Sequence, residues 1–256
     1  MQSSTKKDSR ARGRPRAYDP DEALARARDT FWRGGYAGTS LDDLSAATGM
    51  NRPSLYGAFG DKHALYLQAV DRYVEAGRAA MLRSLDGALP LRDALMRVFD
   101  GALAWYFPSG AAPRGCFLIG TAAVEAVHDE AVRERFAGGL RAFDKAFERR
   151  LRLAVAQGEL PAGASAPMLA RLASALLHST ALRARAGDSR ATLRATAAAG
   201  VAMICGVSGA RNAPVAKTPR AKESSARASP EKTPPEKTPP AKTPPAKTPR
   251  SPRRAK

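Results

Sequence analysis

Cysteines and long apolar runs are scarce in this 256-residue sequence, and their scarcity argues against two classes of protein. Two cysteines, Cys116 and Cys205, are too few for a disulfide framework, so we interpret them as free thiols. No run of about 18 or more apolar residues occurs, so we expect no transmembrane helix. The N-terminus lacks the apolar core of a secretory signal, and we therefore expect a cytoplasmic, nucleoid-associated protein.

Motifs that carry catalysis or bind metals are also missing. His63, His128 and His178 are scattered without ligand spacing, and no glycine-rich phosphate loop or nucleophile motif occurs. His128 followed by Asp129 and Glu130 could form a metal or acid–base group, but a charge cluster at a helix start explains it more simply. We therefore predict no enzyme activity, no metal site and no cofactor.

Acidic residues are in the minority, and the surplus of positive charge lies at the two ends of the chain. The sequence has 42 Lys and Arg against 24 Asp and Glu, a formal net charge of +18. Residues 1–18 carry +5 and residues 211–256 carry +10, which leaves +3 for residues 19–210. This distribution predicts a polyanionic partner. We expect double-stranded DNA rather than a membrane, because neither end has the aromatic or aliphatic residues needed to insert.

The two basic ends have compositions typical of disordered segments. Arg12, Arg14 and Arg16 lie in an extended tract that a DNA minor groove could hold, although a solvated tail fits equally well. The C-terminal segment repeats Lys-Thr-Pro at intervals of five residues, and proline at this density prevents helix and sheet. We predict a disordered basic arm over 1–18 and a disordered Lys/Pro-rich tail over 207–256.

Residues between the two ends are rich in Ala, Leu and Arg, which favours an all-α fold. A markedly apolar stretch, 116–127, indicates a buried helix. The last two predicted helices carry small apolar faces around 173–177 and 197–202, which allow close approach of another helix. We predict that they form a homodimer interface, with packing inside one chain as the alternative. Apolar residues recur at helical spacing over 20–34, 62–85, 91–107, 129–157, 166–186 and 189–205.

Residues 39–62 are typical of two short helices joined by a tight turn, the arrangement that places a helix in the DNA major groove. Ser40 and Asn51 can each cap a helix, and a glycine between them supplies a left-handed turn. Leu55 and Phe59, four residues apart, face inward on the second helix. The residues left pointing outward are Arg52, Ser54, Tyr56 and Ala58.

Five short motifs follow one another in this region: Phe31–Tyr36, Gly38–Ser40, Thr48–Asn51, Leu55–Tyr56 with Phe59, and Asp61–Lys62. Together they make residues 19–66 resemble the DNA-binding head of the TetR/AcrR family of transcriptional regulators. Residues 67–206 resemble the family's effector domain in helix content and length, with weaker likeness of sequence around Arg114–Leu118.

The resemblance implies an all-α homodimer with a four-helix interface between C-terminal helices. It also implies a small-molecule effector that binds the second domain and releases the operator, with repression as the commoner mode. We therefore expect a three-helix DNA-binding domain over 19–66 and an effector-binding and dimerisation domain over 67–206. Aromatic and thiol side chains that could line the effector pocket, each equally a core residue, are Trp105, Phe107, Cys116, Phe117 and Phe143.

Matching positions of the family motif also imply roles in binding DNA. Thr39 and Ser40 would hold a phosphate at a helix N-terminus, and Tyr56 and Lys62 would contact phosphates. Base edges would face Arg52, Pro53 and Ser54, with Arg52 suited to guanine O6 and N7. Many relatives carry larger or polar residues where this chain has Gly57 and Ala58, so fewer side chains would reach bases.

A second interpretation is an architectural DNA-compacting protein that uses its basic tail. It accounts for residues 211–256 but not for a capped helix-turn-helix followed by an apolar domain. Protection of a defined palindrome at salt that suppresses tail binding would distinguish the two.

Overall fold

The computed structural model describes residues 18–206, and this part of the chain contains helices and no strand, so the all-α prediction is confirmed. The predictions for the basic arm, including Arg12, Arg14 and Arg16, and for the C-terminal tail lie outside the described residues. None of the described helices combines the length and hydropathy needed to cross a lipid bilayer. The helices are α1 (Pro20–Gly34), α2 (Leu41–Thr48), α3 (Arg52–Phe59), α4 (Lys62–Ser84), α5 (Leu91–Tyr106), α6 (Ala123–Glu125), α7 (Glu130–Ala156), α8 (Ala166–Ala186) and α9 (Arg190–Gly206).

Helices α1 to α3 form the predicted head, and local capping explains where each begins. The Asp19 carboxylate accepts hydrogen bonds from the first turn of α1, and the Asn51 side chain accepts one from the Ser54 amide at 2.9 Å. Gly49 has a φ of 70° and ends α2 in the left-handed conformation that the turn requires. The side chains buried inside this head include Phe31, Leu44, Leu55 and Phe59.

Helix α4 joins the head to the rest of the chain, because it packs against α1 at one end and against α5 and α7 further along. The boundary predicted after residue 66 therefore falls inside one continuous helix. A cluster of aromatic rings lies where α1, α4 and the segment after α5 meet. Its members are Phe31, Trp32, Tyr66, Tyr73 and Phe117, with ring centroids 5.1 to 6.0 Å apart.

The prediction of one buried helix over 116–127 is wrong in two respects. Residues Leu118–Ala122 form a π-helical segment, and only Ala123–Glu125 continue as α-helix before the chain turns. Val124 and Val127 are 66% and 68% exposed. A helix this short buries a single face, so apolar composition alone overestimated the buried part of the segment.

Helices α8 and α9 bury one face within the chain and leave another in solvent. Ala173, Leu177, Ala197 and Val201, which the sequence placed on the small apolar faces, are buried against their own chain. That part of the predicted interface is therefore wrong. A different stripe on the two helices carries large exposed apolar side chains, namely Met168, Leu172, Leu182 and Met203.

Candidate nucleic-acid interface and ligand cavity

Helix α3 presents one polar face to solvent, in agreement with the helical spacing of its apolar residues. Leu55 and Phe59 are buried, whereas Ala58 is partly buried and packs against the core rather than pointing outward. Gly57 lies on the exposed side and has open space where a side chain would start. The exposed side chains available to a partner are Arg52, Pro53, Ser54 and Tyr56.

Arg52 is held by an acidic residue of the preceding helix. Its Nε and Nη2 atoms both donate to Oδ1 of Asp42, at 3.1 and 2.7 Å. Asp42 lies in the first turn of α2, and the turn at Gly49 brings the two side chains together. The sequence does not reveal this pair, because nothing in a spacing of ten residues indicates it.

Thr39, predicted to hold a phosphate together with Ser40 at the N-terminus of α2, has a side chain that is not placed to contact one. Thr39 is only 2% exposed, and its hydroxyl donates to the Gly35 carbonyl at 2.7 Å. Thr39 therefore shapes the loop between α1 and α2. Ser40 is exposed and caps α2 as predicted, within a capping box in which its amide and hydroxyl donate to Asp43 at 2.8 and 2.6 Å. These hydrogen bonds lower the pKa of Asp43, so a carboxylate already occupies this helix N-terminus.

Two further residues predicted to contact phosphates flank the end of α3. Tyr56 is exposed on α3. Lys62 is the first residue of α4, and its Nζ lies 4.4 Å from the centroid of the Tyr36 ring. This cation–π contact orients the Lys62 ammonium.

An apolar cavity of about 100 Å³, partly open to solvent, lies in the helical body between α4, α5, α7 and α8. Trp105, Cys116 and Phe143 line it, as the sequence analysis proposed. Phe107 and Phe117 do not: Phe107 follows the end of α5, and Phe117 is fully buried among the rings that join head and body.

Residues that sequence reasoning missed complete the cavity wall. The small residues Gly77, Ala80 and Ser84 follow Tyr73 along one face of α4, and this run of small residues at helical spacing is a signal that could have revealed a hollow. Opposite them lies His178 of α8. No Asp, Glu, Lys or Arg is among the described lining residues.

The polar groups of the cavity are uncharged at neutral pH. The Tyr73 hydroxyl donates to Cys116 Sγ at 3.2 Å, and burial raises the pKa of both groups. Burial lowers the pKa of His178, with a smaller opposing effect from Asp144. Within the described residues the Nε2 atom of His178 is buried and has no hydrogen-bond partner. The raised thiol pKa argues against a reactive Cys116 thiolate.

Arg114 connects the cavity wall to the head. Its guanidinium carbon lies 3.8 Å from the Trp32 ring centroid, and its carbonyl accepts a hydrogen bond from Trp32 Nε1 at 3.2 Å. Arg114 also donates to Asp29 of α1 and to the carbonyl of Trp105, both at 3.3 Å. Trp105 lines the cavity, so one side chain joins it to helix α1.

His63 and Asp129 make a second connection between α4 and the body. His63 Nε2 lies 2.6 Å from the Asp129 carboxylate, which also caps α7 by accepting from the Val132 amide. The hydrogen bonds to Val132 and His63 lower the pKa of Asp129. The cluster at residues 128–130 is therefore a helix start, as the simpler explanation predicted.

Comparisons with known proteins agree with this architecture. Residues 23–69 match the family model described as bacterial regulatory proteins, tetR family, and residues 92–199 match a tetracyclin repressor-like C-terminal domain. The chain is 29% identical over 186 residues to the HTH-type transcriptional repressor ComR of Escherichia coli K12, covering 73% of this chain and 89% of ComR. It is 34% identical over 149 residues to the uncharacterized HTH-type transcriptional regulator YezE of Bacillus subtilis 168, covering 58% and 76%.

Solved structures with this fold include one bound to DNA. A cysteine mutant of the TetR family transcriptional regulator CifR, complexed with 26-base-pair operator DNA, has a TM-score of 0.67 and 32% identity. That match covers 73% of this chain and 98% of CifR. The reduced form of Escherichia coli NemR shares the fold at 20% identity, with a TM-score of 0.63 over 71% of this chain and 94% of NemR.

Proposed function

The chain belongs to the TetR family of bacterial regulatory proteins and is a DNA-binding transcriptional regulator, and from that premise we propose a repressor that a small molecule releases from its operator. Repression is supported by the relative ComR, which is named a repressor. The exposed polar face of α3 is the observation that carries the proposal. We place its action on chromosomal DNA in the cytoplasm.

We assign roles on α3 by the chemistry of each exposed side chain. Arg52 can donate to guanine O6 and N7 in the major groove, and Ser54 can reach a neighbouring base. Pro53 offers an apolar surface to a thymine methyl group. Tyr56 and Lys62 lie where they can contact phosphates, which position the helix without reading sequence. Ser40 can join them if its hydroxyl turns from Asp43 to a phosphate.

We further propose a homodimer built on α8 and α9. Met168, Leu172 and Leu182 are each more than half exposed on α8, and Met203 of α9 is 75% exposed. Large apolar side chains clustered on neighbouring helices favour association. Two copies packed through these faces would present two α3 helices to a two-fold related site, with half-sites about 34 Å apart or at a related spacing.

The cavity supports a small, uncharged and mainly apolar effector. A dry cavity of roughly 150 Å³ is large enough for benzene, so about 100 Å³ suits a single small ring after slight expansion. Its lining offers no charge to pair with a carboxylate or an amine. The free His178 Nε2 offers one hydrogen bond to a hydroxyl or carbonyl group. Arg114 and Trp32 connect the cavity to the DNA-binding head, so an effector bound in the cavity can change the head through their contacts.

The proposed regulatory function can be tested by measuring which DNA next to the protein's own gene is protected by the protein, because many relatives regulate a neighbouring gene. We expect a protected two-fold related site that persists in excess random DNA at salt high enough to suppress binding by the basic tail. Uniform protection of all sequences would instead support the architectural alternative. A monomer at micromolar concentration that binds one half-site as tightly as the full site would contradict the dimer.

The class of effector can be tested by comparing neutral single-ring compounds, such as phenol and benzaldehyde, with the charged compound benzoate. We expect the neutral compounds to raise Tm and release the protected DNA, and benzoate to do neither. Gly101→Leu should abolish the response, because Gly101 lines the cavity and a side chain added there meets no atom within 4 Å. Gly138→Leu, on α7 and outside this cavity, is the matched control.

A further inference from the structure

Asp42 carries a carboxylate on the surface that would face DNA, where a negative charge opposes binding to phosphates. Capping does not explain its presence, since Ser40 and Asp43 already form the complete capping box of α2. Its described partner is Arg52, and both side chains are largely exposed, at 76% and 54%. Exposed pairs of this kind contribute little to stability, so the pair invites a functional explanation.

The geometry of the pair leaves one edge of the guanidinium available. Asp42 uses a single oxygen, Oδ1, to accept from Nε and Nη2, which together form the side edge of Arg52. A guanidinium has five donors in a rigid fork. Two donors on Nη1 and one on Nη2 therefore remain, and the end edge is formed by one donor from each of these two atoms. That end edge has the spacing needed to donate to guanine O6 and N7.

We propose that Asp42 is a specificity-determining residue that holds Arg52 for reading a guanine. This inference rests on the proposed role of Arg52 in contacting a base. Asp42 restricts the rotamers of a long side chain before DNA binds, so less conformational freedom is lost in forming the guanine contact. The Asp42 charge opposes the phosphates of all DNA alike, whereas the positioning of Arg52 strengthens binding only where that guanine is present. Asp42 thereby widens the difference between operator and other DNA.

The competing explanation is that Asp42 only withdraws Arg52 from DNA. In that case removing the carboxylate would free Arg52 and strengthen binding to the operator more than to random DNA. The two explanations predict opposite changes in the ratio of the two affinities.

Asp42→Asn and a matched control distinguish them. Asp21→Asn is the control, because Asp21 also lies in the first turn of its helix and makes an equally exposed pair with Arg72, at 74% and 59% exposure. Each protein is titrated with an operator duplex selected by the wild-type protein, with the same duplex lacking its guanine contact, and with random DNA. Thermal unfolding establishes that each variant is folded.

We expect Asp42→Asn to lower the operator-to-random affinity ratio about 3- to 5-fold, and Asp21→Asn to leave it within about 2-fold. Binding of Asp42→Asn to random DNA should be unchanged or stronger. In an Arg52→Ala background, Asp42→Asn should change the ratio by less than about 2-fold, because the side chain that it positions is gone.

A ratio that stays constant or rises in Asp42→Asn, while Arg52→Ala lowers it, would overturn the role of Asp42 and leave the function of Arg52 intact. If Arg52→Ala leaves the ratio unchanged, the base-reading assignment fails and the inference about Asp42 fails with it. An equal fall in the Asp21→Asn control would show that net charge on the head, rather than the contact with Arg52, sets the ratio.

Discussion

The exposed face of α3 and the apolar cavity differ in how the chain builds them. Every side chain proposed to read a base comes from the eight residues of α3. The cavity wall combines residues as distant in sequence as Tyr73 and His178, from four helices. The DNA-binding face therefore depends on local structure and on charge, whereas the cavity depends on packing across the whole body. Substitutions in the two regions should alter different measurable quantities.

Stability should depend strongly on the rings that join head and body and little on the recognition face. Phe117 is fully buried between Trp32, Tyr66 and Tyr73, so Phe117→Ala should lower the free energy of unfolding by about 3–5 kcal/mol. Tyr56→Ala on α3 should change it by less than about 0.5 kcal/mol. Urea unfolding measures the free energy of unfolding of both variants. Similar losses in the two would contradict the claim that stability depends on the buried rings and not on the recognition face.

Recognition of sequence should depend on Arg52 and not on Lys62. Arg52→Ala should cost about 1–3 kcal/mol of discrimination between operator and random DNA, the value of a two-donor contact with guanine. Lys62→Ala should weaken binding to both DNAs equally and reduce the slope of log K against log salt. The assignment is wrong if Arg52→Ala lowers both affinities by the same factor in a salt series.

Arg114 should matter to both regions, because it touches the cavity residue Trp105 and the head residue Trp32. Arg114→Ala should destabilise the chain by about 1–2 kcal/mol through loss of the cation–π contact and the pair with Asp29. It should also weaken DNA release by a compound that still binds the cavity. Arg114→Lys should restore little, since an ammonium lacks the planar fork. If Arg114→Ala releases DNA normally when the compound binds, Arg114 does not connect the cavity to the head.

Acidification should lower the free energy of unfolding through His178 at the cavity and leave the recognition face unchanged. Because burial lowers the pKa of His178 below 6.5, the folded state binds its proton less readily than the unfolded state. The stability that His178 contributes is therefore present above pH 6.5 and is lost as the pH falls through the folded pKa. We expect unfolding titrations between about pH 7 and 5 to show a smaller loss in His178→Gln than in wild type. Identical pH profiles of the two proteins would contradict the lowered pKa of His178.

The two regions also differ in how much of each could be predicted from sequence. Caps at Asp19, Ser40 and Asn51 act within a few residues, so the helix starts could be predicted. The spacing of Leu55 and Phe59 predicted the outward face of α3 except for Ala58, which packs against the core. The burial of the Thr39 side chain could not be predicted, because it depends on packing beneath the loop, which local pattern does not report.

Long-range packing explains the remaining errors. Phe117 and Phe143 look alike in sequence, yet one fills the core and the other borders a cavity. Asp42 and Arg52 meet only because of the turn between their helices. The exposed stripe on α8 and α9 could not be separated from the buried one, because alanine and leucine occur on both faces.

Selection of binding sites from random duplex DNA tests most directly the claim that specificity resides on α3. The selection is run in parallel with the full chain, with a chain lacking residues 211–256 and with Arg52→Ala. We predict that the first two recover the same two-fold related motif with a guanine in each half-site, and that the truncated chain binds it more weakly at low salt. Arg52→Ala should recover a motif without that guanine. Recovery of no motif by the full chain, or loss of the motif on removing residues 211–256, would contradict the account.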